Sequence, residues 1–329
     1  MKLIEKINAE NFFLTGTSSV CIYNDKTIFF KDGSIVIDAD YIFSESNRLF
    51  YKHNKQLFEL DLLQFMVKDK GLSGVSFCFV NDLIIASDYD YKHKTTFIKC
   101  YKSEVLVLNL SIEGIFSVKC SSHCVLMQNI DKREISVFNL HDKELKNYKL
   151  SEFETYNESP KLVVDGDSFV FQNSLICPVT EGGLIAIDIK SGDLKWHLFD
   201  SKRPTSLQCY NNNIVFASSY RFLEIDLKTG RILRDIDLLS VEVNQKLKFH
   251  FFDFKIVADR IYFTDNRNKQ IGILDYQTLR LIDLYQLEKQ KDPLNLTKLD
   301  VVENRIYVLD KGTSSSTLYI LEDNNGHLV

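Results

Sequence analysis

Proline is nearly absent from this chain, with four in 329 residues. No proline- or glycine-rich linker marks a boundary, so one domain over residues 1–329 is expected. Glycine is scarce at 13, most of it in turns. No glycine loop is suited to cradling phosphate, and neither Gly-x-Ser-x-Gly nor His-Glu-x-x-His occurs. That removes the commonest hydrolase, metalloprotease and nucleotide-binding readings. No stretch approaches the ~20 apolar residues of a membrane span. Residues 1–8 lack an apolar core and a small-residue cleavage site, so no signal peptide is expected. Charge of one sign is also missing. The net charge is −5 without a long basic run, which disfavours binding driven by phosphate neutralisation. The seven cysteines are odd in number and scattered, and read as reduced thiols of a cytoplasmic protein.

What is present is enough for a large core: 45% of residues are apolar and 26% charged. The most informative stretch is residues 183–196, G-L-I-A-I-D-I-K-S-G-D-L-K-W. Its first half is apolar on both faces of a period-two pattern, which suits a strand buried on both sides. Lys190-Ser191-Gly192-Asp193 supplies a turn, where glycine takes a positive φ freely. Residues 194–198 resume as a strand. The frame recurs at 222–233, with Asp226 placed 38 residues after Asp188. Looser copies occupy 57–62, 135–140, 271–276 and 318–323.

A second repeat precedes each copy: an apolar strand, a short polar turn, another apolar strand. The turns fall near Asn24, Asn47, Asn81, Ser122, Gly166, Asn212, Asp259 and Asn304. From Asn47 on they are ~34 to ~47 residues apart, one four-stranded blade each. The expected fold is all-β, a β-propeller of four-stranded antiparallel blades. Eight blades are favoured, with seven as the alternative, because the step from Asn24 to Asn47 is short. An N-terminal strand (residues 3–7 or 34–38) is expected to complete the last blade and remove a free sheet edge.

Ala186-x-Asp188-x-x-Ser191-Gly192-x-x-x-Trp196 resembles the outer-strand motif of the quinoprotein-like, or PQQ-like, propeller repeat. Asp226-x-x-Thr229-Gly230 is a partial second match. The resemblance implies a propeller. In the quinone-dependent dehydrogenases of that superfamily it also implies a signal peptide, several tryptophan-bearing repeats, a stacking tryptophan and calcium-ligating acids. This chain shows no signal peptide, and its only tryptophan, Trp196, lies in a repeat motif. No cofactor is therefore expected, and Trp196 is expected to pack between blades.

The candidate site residues are those in loops that a propeller gathers at the mouth of its channel. They are Asp88, Asp90 and His93 in one charged aromatic loop, then Arg203, Tyr220, Arg221, His250, Asp265 and Arg267. The Asp88–Asp90 loop lacks the glycine and distal glutamate of a calcium site. Cys120 to Cys124 has no second ligand pair at zinc spacing. It reads as buried thiols beside an exposed turn histidine. No metal and no catalytic set is assigned, and catalysis is not expected. The leading expectation is a non-enzymatic bacterial scaffold or inhibitor, in its sharpest form an immunity protein, that holds another protein on one face. The alternative is an enzyme acting on a small molecule or sugar at the channel mouth.

Overall fold

The computed structural model describes all residues except 16–18, 32, 46–47, 63, 65, 81, 115, 130–132, 157–161, 165–167, 181–182, 200–205, 219, 242–252, 288–294, 313–314 and 324–329. Thirty-two strands form eight four-stranded antiparallel sheets. The first blade is β2 (Asn11–Thr15), β3 (Ser19–Asn24), β4 (Thr27–Phe30) and β5 (Gly33–Val36). The second is β6 (Tyr41–Glu45), β7 (Arg48–His53), β8 (Gln56–Asp61) and β9 (Met66–Ser73). The third is β10 (Ser76–Val80), β11 (Leu83–Asp90), β12 (Thr95–Lys102) and β13 (Val105–Glu113). The fourth is β14 (Phe116–Ser121), β15 (Cys124–Asn129), β16 (Glu134–Asn139) and β17 (Glu144–Lys149). The fifth is β18 (Phe169–Phe171), β19 (Ser174–Val179), β20 (Gly183–Asp188) and β21 (Leu194–Leu198). The sixth is β22 (Ser206–Tyr210), β23 (Asn213–Ser218), β24 (Arg221–Asp226) and β25 (Ile232–Asp237). The seventh is β26 (Asp253–Val257), β27 (Arg260–Asp265), β28 (Gln270–Asp275) and β29 (Leu281–Gln286). The eighth is β30 (Leu296–Val302), β31 (Arg305–Lys311), β32 (Ser316–Glu322) and β1 (Lys2–Asn8), which pairs with β32 as its outermost strand. No α-helix occurs among the described residues; the 3₁₀ turns are Leu150–Tyr156 and Leu238–Ser240. The propeller therefore has eight blades, and residues 34–36 belong to the outer strand of the first.

The first strand of each blade lies at the centre. Neighbouring first strands touch one another, β10 beside β14 and β22 beside β26 beside β30. The core is a ring of joints, not one mass. Eight apolar clusters among the described residues each span two adjacent blades. This explains the two-sided apolar pattern. On β20, Ile185 and Ile187 fill the joint to the fourth blade, while Leu184 and Ala186 fill the joint to the sixth.

The glycine-poor sequence makes several of its two-residue hairpins without glycine. Asp25-Lys26, Asn54-Lys55, Asn211-Asn212 and Ala258-Asp259 each hold two consecutive positive φ angles. Their flanking residues pair directly, as in Tyr210 with Asn213. Two-residue turns of this kind match the twist of the strands they join.

The third-to-fourth-strand turns are built by the motif aspartate. Asp188 Oδ1 accepts from the backbone N–H of Lys190 and Ser191. Asp226 and Asp275 do the same for Thr229 and Thr278, and also accept from those threonine hydroxyls. Gly192, Gly230 and Leu279 then close the turn at positive φ, each donating its N–H to the motif aspartate's carbonyl. Gly230 leaves no room for a side chain, because a Cβ there would fall 2.6 Å from the Trp196 indole.

Candidate functional site

Each blade runs from the centre outward in alternating directions, and the next blade begins at the centre again. The hairpin between second and third strands and the crossover to the next blade therefore share one face of the ring. Asp88, Asp90 and His93 lie on the β11–β12 hairpin of that face. Tyr220 and Arg221 lie on β23–β24, and Asp265 and Arg267 on β27–β28. Arg203 and His250 lie outside the described residues.

Two acids on this face, Asp90 and Asp265, cap their own hairpins. Asp90 Oδ1 accepts from the N–H groups of Lys92 and His93, and its Oδ2 sits 2.6 Å from His93 Nδ1. The bond from the His93 side chain, then the backbone bonds, hold the Asp90 carboxyl below its ordinary value. Asp88 accepts from Tyr89 N–H and, at 3.1 Å, from Lys55 of the second blade. Asp265 is fully buried and accepts from the Asn268 backbone and side chain. Arg221 clasps Asp235 through two hydrogen bonds of 2.6 Å. The hairpins thus gather Asp88, Asp90 and His93 in one blade and distribute the others to the sixth and seventh. What they expose is aromatic and basic: Tyr91 at 72%, Tyr220 at 47%, with His93 and Arg267 also exposed. The hairpin of Cys120 and Cys124 places His123 half-buried, 5.2 Å from the His141 ring, and not exposed as its turn position suggested.

Sequence reasoning missed the centre of the ring. Lys298 on β30 reaches the first blade, donating to the Phe12 carbonyl and to Asn11 Oδ1. Its ammonium lies 4.3 Å from the Phe12 ring centroid and 4.9 Å from that of Phe13. It joins the last blade to the first. Burial pushes its pKa down to about 8, with Asp300 opposing the fall and Lys255 and Lys311 adding to it. Two cavities flank it. One of about 350 Å³ is lined by Asn11, Tyr41, Phe43, Ser44 and Lys311. The Tyr41 and Phe43 rings stack at 5.8 Å. The other, about 470 Å³, is lined by Gln208, Cys209, Asp253, Lys255 and Asp300. Lys298 was signalled in the sequence only as a cation between Thr297 and Leu299 in a mainly apolar strand.

Four-stranded blades, a central channel and aspartate-capped outer turns can be compared with known structures. The chain matches BamB from Moraxella catarrhalis with a TM-score of 0.56 at 13% identity, over 97% of this chain and 98% of that one. It matches dihydro-heme d1 dehydrogenase NirN, in complex with DHE, at 0.65 and 12%, over 98% of this chain and 76% of that one. It matches the computationally designed Ika8 protein at 0.61 and 10%, over 97% and 96%. The shared fold is the β-propeller. No family model and no curated protein sequence matches the chain. At these identities the likeness extends to the fold alone.

Trp196 lies on an outermost strand, 8% exposed, with its Nε1 donating to the Leu227 carbonyl of the next blade at 3.2 Å. Among the described residues no three His, Cys, Asp or Glu side chains group as a metal site. No helix among them is long and apolar enough to cross a membrane.

Proposed function

We propose that this protein is a non-enzymatic binding scaffold or inhibitor, bacterial and cytoplasmic, that holds another protein on its crossover face and carries no quinone. The observation that carries this reading is the division of labour on that face. Asp90 and Asp265 are committed to hairpin caps and Asp88 to Lys55 of the second blade, while Tyr91 and Tyr220 stand exposed above a closed frame. Tyrosine and arginine are enriched in the energetic centres of protein interfaces. The Asp90 carboxyl, held below its ordinary value by its bonds to His93, is a poor general acid or base, which needs a pKa near the working pH. An immunity role is the sharpest form of this proposal.

The test is affinity capture from the native host with the wild-type chain and a Tyr91→Ala/Tyr220→Ala/Arg267→Ala variant. The expected result is one stoichiometric protein partner that the variant loses while its melting temperature holds. Recovery of no such partner, or equal capture by the variant, overturns the reading. A second reading, an enzyme for a small molecule or sugar at the channel mouth, is favoured by the cavity between Lys298 and the Tyr41–Phe43 stack. Replacing Tyr41 and Ser44 by alanine discriminates the two: capture of the protein partner is unaffected under the first reading.

A further inference from the structure

Cys78 and Cys120 stand apart from the other thiols. Cys21, Cys100, Cys124 and Cys177 are buried, and Cys209 is exposed alone beside the channel. Cys78 and Cys120 are both half-buried and unbridged. They lie on the innermost strands of successive blades, β10 and β14, which touch along the channel. Both side chains point into the joint between the third and fourth blades and pack on the same apolar cluster. There the two thiols face the same space from neighbouring strands, close enough to perturb one another. No backbone ladder joins these two sheets; besides packing, the Phe116 N–H donates to Thr96 Oγ1 across the joint at 3.1 Å. No third His, Cys, Asp or Glu completes a metal group with them among the described residues.

We propose that Cys78 and Cys120 are a redox pair that closes a reversible disulfide across this joint on exposure to a peroxide. In the first step the Cys78 sulfur, as thiolate, attacks one peroxide oxygen. A sulfur–oxygen bond forms, the oxygen–oxygen bond breaks, and the leaving oxide takes up a proton as water or an alcohol. In the second step the Cys120 sulfur displaces the hydroxyl oxygen of the Cys78 sulfenic acid. The disulfide forms, the sulfur–oxygen bond breaks, and the Cys120 proton leaves with hydroxide as water. Two thiols are oxidised by two electrons and one peroxide is reduced. A dithiol reductant reverses the change by thiol–disulfide exchange. The Cys120 thiol is raised, first by the neighbouring Cys78 thiol and then by burial. It therefore keeps its proton at neutral pH and suits the resolving role. A disulfide needs the two Cα atoms within about 7 Å, and β10 and β14 are the innermost, touching strands of their blades.

The experiment treats the full-length protein with hydrogen peroxide, blocks remaining thiols with N-ethylmaleimide, and maps peptides without reduction. The expected result, with thiols counted after denaturation, is loss of two of the seven free thiols. One peptide should link Cys78 to Cys120, and dithiothreitol should restore both. C78S and C120S should each abolish the linked peptide, and Cys209→Ser should retain it. Because the wild-type map needs no variant to fold, it decides the matter alone. Seven thiols still free after treatment, a sulfinic acid on Cys78 without the linked peptide, or linkage between two chains would each overturn the proposal.

Discussion

At the residue scale, the motif tryptophan holds one blade to the next by a hydrogen bond that other side chains can make. Trp196 donates to the carbonyl of Leu227, the residue after motif Asp226 of the following blade. Tyr148 donates to the carbonyl of Ile189, after Asp188, at 2.7 Å. Arg234 donates to the carbonyl of Tyr276, after Asp275, at 2.7 Å, with its guanidinium over the Phe222 and Tyr276 rings. Indole, phenol and guanidinium thus do one job at three joints. Sequence reading saw a repeat that loses its tryptophan, because a motif written in residue types hides a constraint written in donors. Trp196→Ala should cost ~3–5 kcal/mol through cavity formation. Tyr148→Phe, which keeps the ring, should cost ~1 kcal/mol. Urea denaturation of both variants checks the ratio. Arg234 also meets Glu224, which accepts from Tyr276 and Asn213. Burial would raise the Glu224 pKa, but bonds from Tyr276, Arg234 and Asn213 outweigh it and the value falls. In acid the folded state therefore binds fewer protons than the unfolded chain. The stabilisation is complete above the ordinary value of 4.5 and is lost as pH falls through the lowered one. Glu224→Gln should flatten the acid limb of a plot of melting temperature against pH.

At the element scale, the hairpin explains both what was legible and what was not. Polar turns between apolar strands recur because each blade needs them, so the blade count could be read from Asn24, Asn212 and Asp259 onward. The site could not be read the same way. Whether Asp88 or Asp265 serves a ligand or its own turn depends on which N–H groups it meets, and spacing does not reveal that. Lys298 was hidden for a related reason: its partners Asn11 and Phe12 are nearly the whole chain away. The turns also carry strain that glycine would relieve. Ala258 is exposed at φ 44°, where a Cβ costs roughly 1–2 kcal/mol. Part of that gain is offset by the greater unfolded-state freedom of glycine. Ala258→Gly should therefore stabilise the protein by ~0.5–1 kcal/mol, read as a rise in denaturation midpoint at unchanged slope.

At the scale of the whole molecule, eight joints in a ring leave no blade at an end, provided the eighth is complete. β1 completes it, pairing from Lys2 opposite Glu322 to Asn8 opposite Thr317. Leu3 packs on the cluster that holds Tyr319 and Leu321. Deleting residues 1–8 should bare the β32 edge and the joint beneath it. The expected outcome is a lower melting temperature and aggregation at concentrations where the full chain stays dispersed. Light scattering checks this, and a synthetic peptide of residues 1–10 should partly reverse it.

The same closure sets a timetable. Seven blades are built from strands that are neighbours in the chain, and each can form as soon as its own hairpins exist. The eighth cannot, because its outer strand is made first and the strand it pairs with is made last. Loop-closure entropy must be overcome before that contact returns any stability, so pairings of such long sequence separation are slow. On a ribosome, β1 would emerge with nothing to pair with until β32 has followed it. In refolding, the last phase should be the docking of Lys2–Asn8, and until then the molecule is an open arc with one unpaired edge.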